Sequence, residues 1–105
     1  MFEDEELKQL RISYIEIGKL VQRYGYGQYN GILNIIMGQV KCIDSKEDKD
    51  EKKQYLIESY RRLFVSGRGL SDFIIYDENK EVRKYLNESL YREIKKICEI
   101  MKDYI

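Results

Sequence analysis

Apolar side chains recur along this chain with helical spacing, and four segments follow from that spacing. In the first, Leu7, Leu10, Tyr14, Ile17, Val21 and Tyr24 advance by alternating steps of three and four, which puts them on one face of a helix over about 4–24. Ile15 and Leu20 widen that face, Asp4 is placed to cap its start, and Gly25 to supply a left-handed stop. A glycine-rich turn, Gly25 to Gly31, follows. The next helix, about 30–43, is apolar nearly all round (Ile32, Ile35, Ile36, Met37, Val40), so it is expected to be the central, most buried one. Its Gly31 and Gly38 would let a neighbouring backbone approach.

Residues 44–53 carry no apolar side chain and read as a solvated loop running into a third helix of about 49–65. There Leu56, Tyr60, Leu63 and Phe64 face inward, with Arg61 and Arg62 outward. After Gly67-Arg68-Gly69, the run Leu70-Ser71-Asp72-Phe73-Ile74-Ile75-Tyr76 fits either a short strand or a buried helical turn capped by Ser71. A lone strand has no evident partner, which favours the turn. A last helix, about 80–104, starts at Asn79 as cap and carries Val82, Leu86, Leu90, Ile94, Ile97, Met101 and Tyr104 on one stripe. The expected fold is therefore all-α: a compact bundle of about four helices, with a short irregular or helical segment before the last.

Composition agrees with that architecture. The chain's 105 residues suit one domain, 1–105, and the absence of proline suits long helices with short connections. Lysine plus arginine equals aspartate plus glutamate, 19 against 19, so no net field draws nucleic acid or an anionic membrane. The N-terminus is acidic where a secretory signal is basic and then apolar, and no apolar run is long enough to span a bilayer, so a cytoplasmic location is expected.

The chain contains no histidine, which removes the commonest general base and metal ligand. Ser13, Ser59, Ser66 and Ser89 consequently have no imidazole to activate them, and Cys42 and Cys98 read as apolar fillers. Neither glycine cluster follows a strand or contains Gly-Lys-Ser/Thr, so both are turns and not phosphate loops. Asp72, Asp77 and Glu78 fit capping better than acid–base catalysis. The acids Asp44, Glu47, Asp48, Asp50 and Glu51 have lysines between them and lack the glycine of a calcium loop. No catalytic residue, metal or cofactor is expected, and the chain reads as a non-enzyme.

Ten tyrosines is a high count for this length, and Tyr24, Tyr26 and Tyr29 crowd the first turn. They either cover the ends of the bundle or form an interface, for which tyrosine is well suited. Candidate partner contacts are Tyr26, Tyr29, Arg68, Asp72 and the acidic loop residues Asp44, Glu47, Asp48, Asp50 and Glu51.

The stretch Tyr60-Arg61-Arg62-Leu63-Phe64-Val65-Ser66-Gly67-Arg68-Gly69-Leu70-Ser71-Asp72-Phe73-Ile74-Ile75, followed by a charged terminal helix, resembles a family of small bacterial immunity-like proteins encoded beside toxins. The likeness covers about the C-terminal half. Arg68 and Leu70 break up the family's small-residue turn, and Ser71 replaces its asparagine before Asp72. The resemblance implies a stoichiometric inhibitor of a cognate protein toxin. A phage- or plasmid-encoded regulator of a host defence protein is the alternative, and the pattern leaves open whether the first or last helix pairs with itself in a homodimer.

Overall fold

A computed structural model describes residues 2–64 and 69–105. It is all-α, with helices α1 (Asp4–Tyr24), α2 (Asn30–Asp44), α3 (Lys49–Arg61) and α4 (Lys80–Met101), and no strand among the described residues. Single 3-10 turns occupy Arg62–Phe64 and Leu70–Asp72.

The central element is α1, not α2 as the apolar pattern suggested. It packs against α2 on one side and α4 on the other, while α3 lies against α2. Neighbouring helices run antiparallel. Arg11 near the start of α1 meets Asp44 at the end of α2, and Ser13 donates to Glu93 in the second half of α4. Gln39 of α2 donates to the Leu56 carbonyl of α3. Leu10, Tyr14, Ile17 and Val21 of α1 are buried, as their spacing requires. In α2 only Ile32, Ile36, Gln39 and Cys42 are fully buried, and Met37 is half-exposed. Its second apolar face lines a groove open to solvent, a difference that hydrophobicity alone does not report.

Helix ends obey local chemistry. Glu3, not Asp4, is the N-cap of α1, and its N–H donates to Glu6 Oε1 at 3.0 Å. Asp4 begins the helix and takes Lys49 Nζ at 2.9 Å, tying the N-terminus to α3. Asp48 caps α3 by accepting the Glu51 N–H at 2.9 Å, and Asn79 caps α4 as expected, accepting from Glu81 and Val82. Gly25 is not left-handed (φ −84°); Tyr26 (φ 51°) and Gly27 (φ 75°) hold those conformations. Gly25 is required for space, because a Cβ there would sit 2.5 Å from the Val21 carbonyl oxygen. Gly38 is approached by the Tyr55 hydroxyl and not by a neighbouring backbone, and Gly31 is approached by nothing.

Two further expectations are corrected. The loop between the second and third helices is shorter than residues 44–53: α2 extends through Asp44 and α3 begins at Lys49, where the third helix was expected to start, leaving 45–48 between them. A helix end that faces water needs caps more than apolar side chains, so a charged stretch does not mark a loop. Val82 is 40% exposed, at the margin of the α4 stripe that Leu90, Ile97 and Met101 bury.

The segment before α4 opens on the favoured helical turn, with Gly69 and not Ser71 at its cap, and holds no strand among the described residues. Leu70–Asp72 is a 3-10 turn, Phe73 leaves it in extended form at φ −82° and ψ 119°, and residues 73–77 are neither helix nor strand. Burial then alternates with the period of a strand: Phe73 and Ile75 are buried, Ile74 and Tyr76 exposed. The partner of this segment is a side chain. Asn87 of α4 accepts the Ile75 N–H and donates to the Ile75 carbonyl, both at 2.9 Å, imitating one rung of a β-ladder.

Candidate binding surfaces

The residues picked out from the sequence fall at opposite ends of the bundle. Near the start of α1, Asp44 forms a two-pronged ion pair with Arg11, at 2.8 and 3.2 Å. The guanidinium holds the Asp44 carboxyl below its usual range. Asp48 is occupied as the α3 cap, Asp50 and Glu51 stand in the first turn of α3, and the Glu47 N–H donates to Ser45 Oγ. Acidic side chains at a helix start are stabilised by its dipole, which accounts for most of this cluster. Among the described residues no three Cys, Asp or Glu side chains are placed as metal ligands.

At the far end of α1 lie Tyr26, Tyr29 and Asp72. From Arg11 to Gly25 the helix rises about 20 Å at roughly 1.5 Å per residue, so the two groups of candidates cannot share one small contact patch. Tyr29 is structural: its hydroxyl donates to the Asp72 carbonyl at 3.1 Å, and its ring meets Phe73 edge-on, centroids 5.0 Å apart. It thereby joins the first turn to the segment before α4. Tyr26 is free of such work and 74% exposed. Asp72 accepts the Gly69 N–H at 3.2 Å through Oδ2, closing the 3-10 turn, and otherwise faces solvent. Arg68 lies outside the described residues.

Three surfaces were not singled out in the sequence. The first is the outer face of the extended segment, where Ile74 is 67% and Tyr76 62% exposed. The Arg83 guanidinium lies 5.6 Å over the Tyr76 ring. Both residues had been counted inside a buried run; only the strand-like alternation, had it been preferred, would have turned them outward. The second is an apolar groove of about 390 Å³ between α1 and α2, floored by Ile15, Leu33, Ile36 and Val40 with Lys19 and Lys41 on its rim. The third is a more polar groove of about 420 Å³ between α1 and α4, bordered by Tyr24, Tyr85, Arg23 and Arg92.

Buried ionisable groups belong to the packing. Tyr14 accepts from Gln39 Nε2 at 3.2 Å, and burial pushes its phenol far above the ordinary range. Tyr60 donates to Cys98 Sγ at 3.3 Å and is raised by burial and by that thiol. Cys42 and Cys98 are both free thiols, and burial also raises Cys42. Raised phenols and thiols stay protonated at neutral pH, the less nucleophilic form. No helix among the described residues is long and apolar enough to cross a membrane.

The chain matches no protein-family model, and no curated protein and no solved structure is similar to it.

Proposed function

We infer that this chain is a cytoplasmic immunity- or antitoxin-like protein, which binds a cognate toxin and neutralises it by occluding a surface the toxin needs. The observation that carries this reading is the outward presentation of large apolar side chains on ordered backbone. Ile74 and Tyr76 project from a segment fixed to the core by Phe73, Ile75 and the Asn87 amide, and Tyr26 stands on the turn that Tyr29 ties to it. A backbone held in place before binding loses little freedom on binding, so such a patch suits tight association. A chain without histidine, whose raised Tyr14 and Tyr60 phenols and Cys42 thiol remain protonated, is also poorly suited to acid–base or nucleophilic turnover. The resemblance of residues 60–75 to immunity-like proteins adds the kind of partner.

Calorimetric titration against the product of the neighbouring gene tests the reading. A one-to-one complex of submicromolar dissociation constant is expected. An absence of binding at micromolar concentration would overturn it.

A further inference from the structure

We propose that the groove between α1 and α2 docks an amphipathic helix of the partner protein, apolar along one stripe and acidic on either side of it. The proposal deepens the inhibitor reading and rests on it for the existence of a protein partner. Ile15 and Gly18 of α1 line the groove from one side, and Leu33, Ile36 and Val40 of α2 from the other. Gly18 keeps the floor low, since a Cβ there would meet Ile36 Cγ2 at 3.3 Å. Met37 on the α2 side is 49% exposed, and Ile12, three residues before Ile15 on α1, is 45% exposed. Large apolar side chains grouped in this way favour a partner that removes them from water, and methionine adapts to the shape of what it meets.

Charge specifies the occupant. Among the described residues, the charged side chains lining the groove are Lys19 and Lys41, one on each wall, in a chain whose acids and bases are equal in number. Lys19 reaches Glu16 at 3.4 Å, whereas Lys41 pairs with no acid among the described residues. A partner that lays apolar side chains on Ile15, Leu33 and Met37 therefore gains from carboxylates that meet the two lysines. Shape selects a helix. From Ile15 to Gln22 the α1 wall rises about 10 Å at roughly 1.5 Å per residue, close to two turns. A helix packs its ridge of side chains between two others, with anchors at i, i+3, i+4 and i+7. The end marked by Gln22 and Leu33 lies next to the turn that carries Tyr26, which continues the contact onto that exposed ring. The lysines also disfavour a second copy of this chain. A two-fold contact through the groove would bring Lys19 and Lys41 of both copies together, with Glu16 alone to offset them.

The test follows backbone amide resonances of the full chain during titration with the capped peptide Glu-Ala-Leu-Glu-Glu-Ile-Leu-Ala-Glu-Leu-Glu-Ala, and with its counterpart carrying lysine at every glutamate. The acidic peptide is expected to move the Ile15, Leu33 and Met37 amides most and to saturate. The basic one is expected to bind about tenfold more weakly, as favourable charge pairs become repulsive. Lys41→Glu, an exposed change, is expected to erase that preference, and Met37→Glu to abolish the response, with helical circular dichroism unchanged in both. Equal affinity of the unaltered chain for both peptides, no response to either, or shifts confined to the groove between α1 and α4 would overturn the proposal. So would movement of the same amides with protein concentration alone, which would seat a second copy in the groove, or with phosphatidylglycerol vesicles and not with the acidic peptide. Failure with the peptides leaves the one-to-one complex to stand or fall on its own calorimetry; a missing complex beside a responsive groove would remove the inhibitor reading instead.

Discussion

Asn87 is the residue on which the candidate surface depends. Asparagine inside a helix is a weak helix former, yet here its amide makes two bonds to Ile75 and a third to the Arg83 carbonyl, at 2.9 Å. Replacing it with alanine improves helix propensity by about half a kcal/mol but strands the Ile75 N–H and C=O beside a buried side chain. Asn87→Ala is expected to lower stability by a net of about 1–2 kcal/mol and to speed exchange of the Ile75 amide, measured by urea unfolding and hydrogen exchange. No sequence pattern announces this contact. A helical asparagine and an apolar run twelve residues earlier carry no periodic signal, which is why the strand seemed to lack a partner. Near the chain ends, Tyr104 donates to the Glu6 carboxylate while its ring packs on Phe2. That bond holds Glu6 below the usual carboxylate range and pushes Tyr104 up to about 12. The Glu6 contribution to stability is present above its unfolded value of roughly 4.3 and lost as pH falls through the lowered one. The Tyr104 contribution is present below roughly 10 and lost as pH rises through the elevated value. A resonance titration of the Tyr104 ring should show a midpoint near 12 that returns towards about 10 in Glu6→Ala.

Among the elements, α1 and α4 were legible because each buries one stripe with helical period and α4 opens on a strong cap at Asn79. Their neighbours were harder to read for physical reasons. In α2 a second apolar face lines the groove with α1 and stays partly wet, so hydrophobicity exceeded burial and the helix looked central. In the first turns of α3, charged residues are helical because intrahelical bonds and the Asp48 cap satisfy the backbone without apolar packing. Glycine in the first turn was expected to act through left-handed backbone, and at Gly25 it acts through space. The distinction is measurable. Gly25→Ala brings a methyl onto the Val21 carbonyl and is expected to cost about 1–3 kcal/mol. Gly31→Ala, in the first turn of α2 with nothing within 4 Å, is expected to stabilise by about 0.5 kcal/mol. Urea midpoints of the two variants should move in opposite directions.

At the scale of the molecule, the bundle is elongated, 45 × 23 × 22 Å, and its two ends differ in character. One gathers acidic side chains, of which Asp48 caps α3, Asp44 at the end of α2 pairs with Arg11 and Asp4 pairs with Lys49. The other presents Tyr26, Ile74 and Tyr76 to solvent. The sequence pointed to tyrosine-rich turns and charged loops as contacts, and Tyr26 and Asp72 keep that candidacy. Tyr29 and Asp44 are held by internal bonds, which only three-dimensional proximity reveals. The proposed function is action by occupancy, with one copy of this chain covering one partner molecule and transforming nothing. Titrating a fixed amount of the partner toxin's activity with increasing amounts of this protein measures that directly. Activity should fall linearly to zero at one molar equivalent, with an end point independent of incubation time. Progressive inactivation at substoichiometric amounts would show turnover and contradict it.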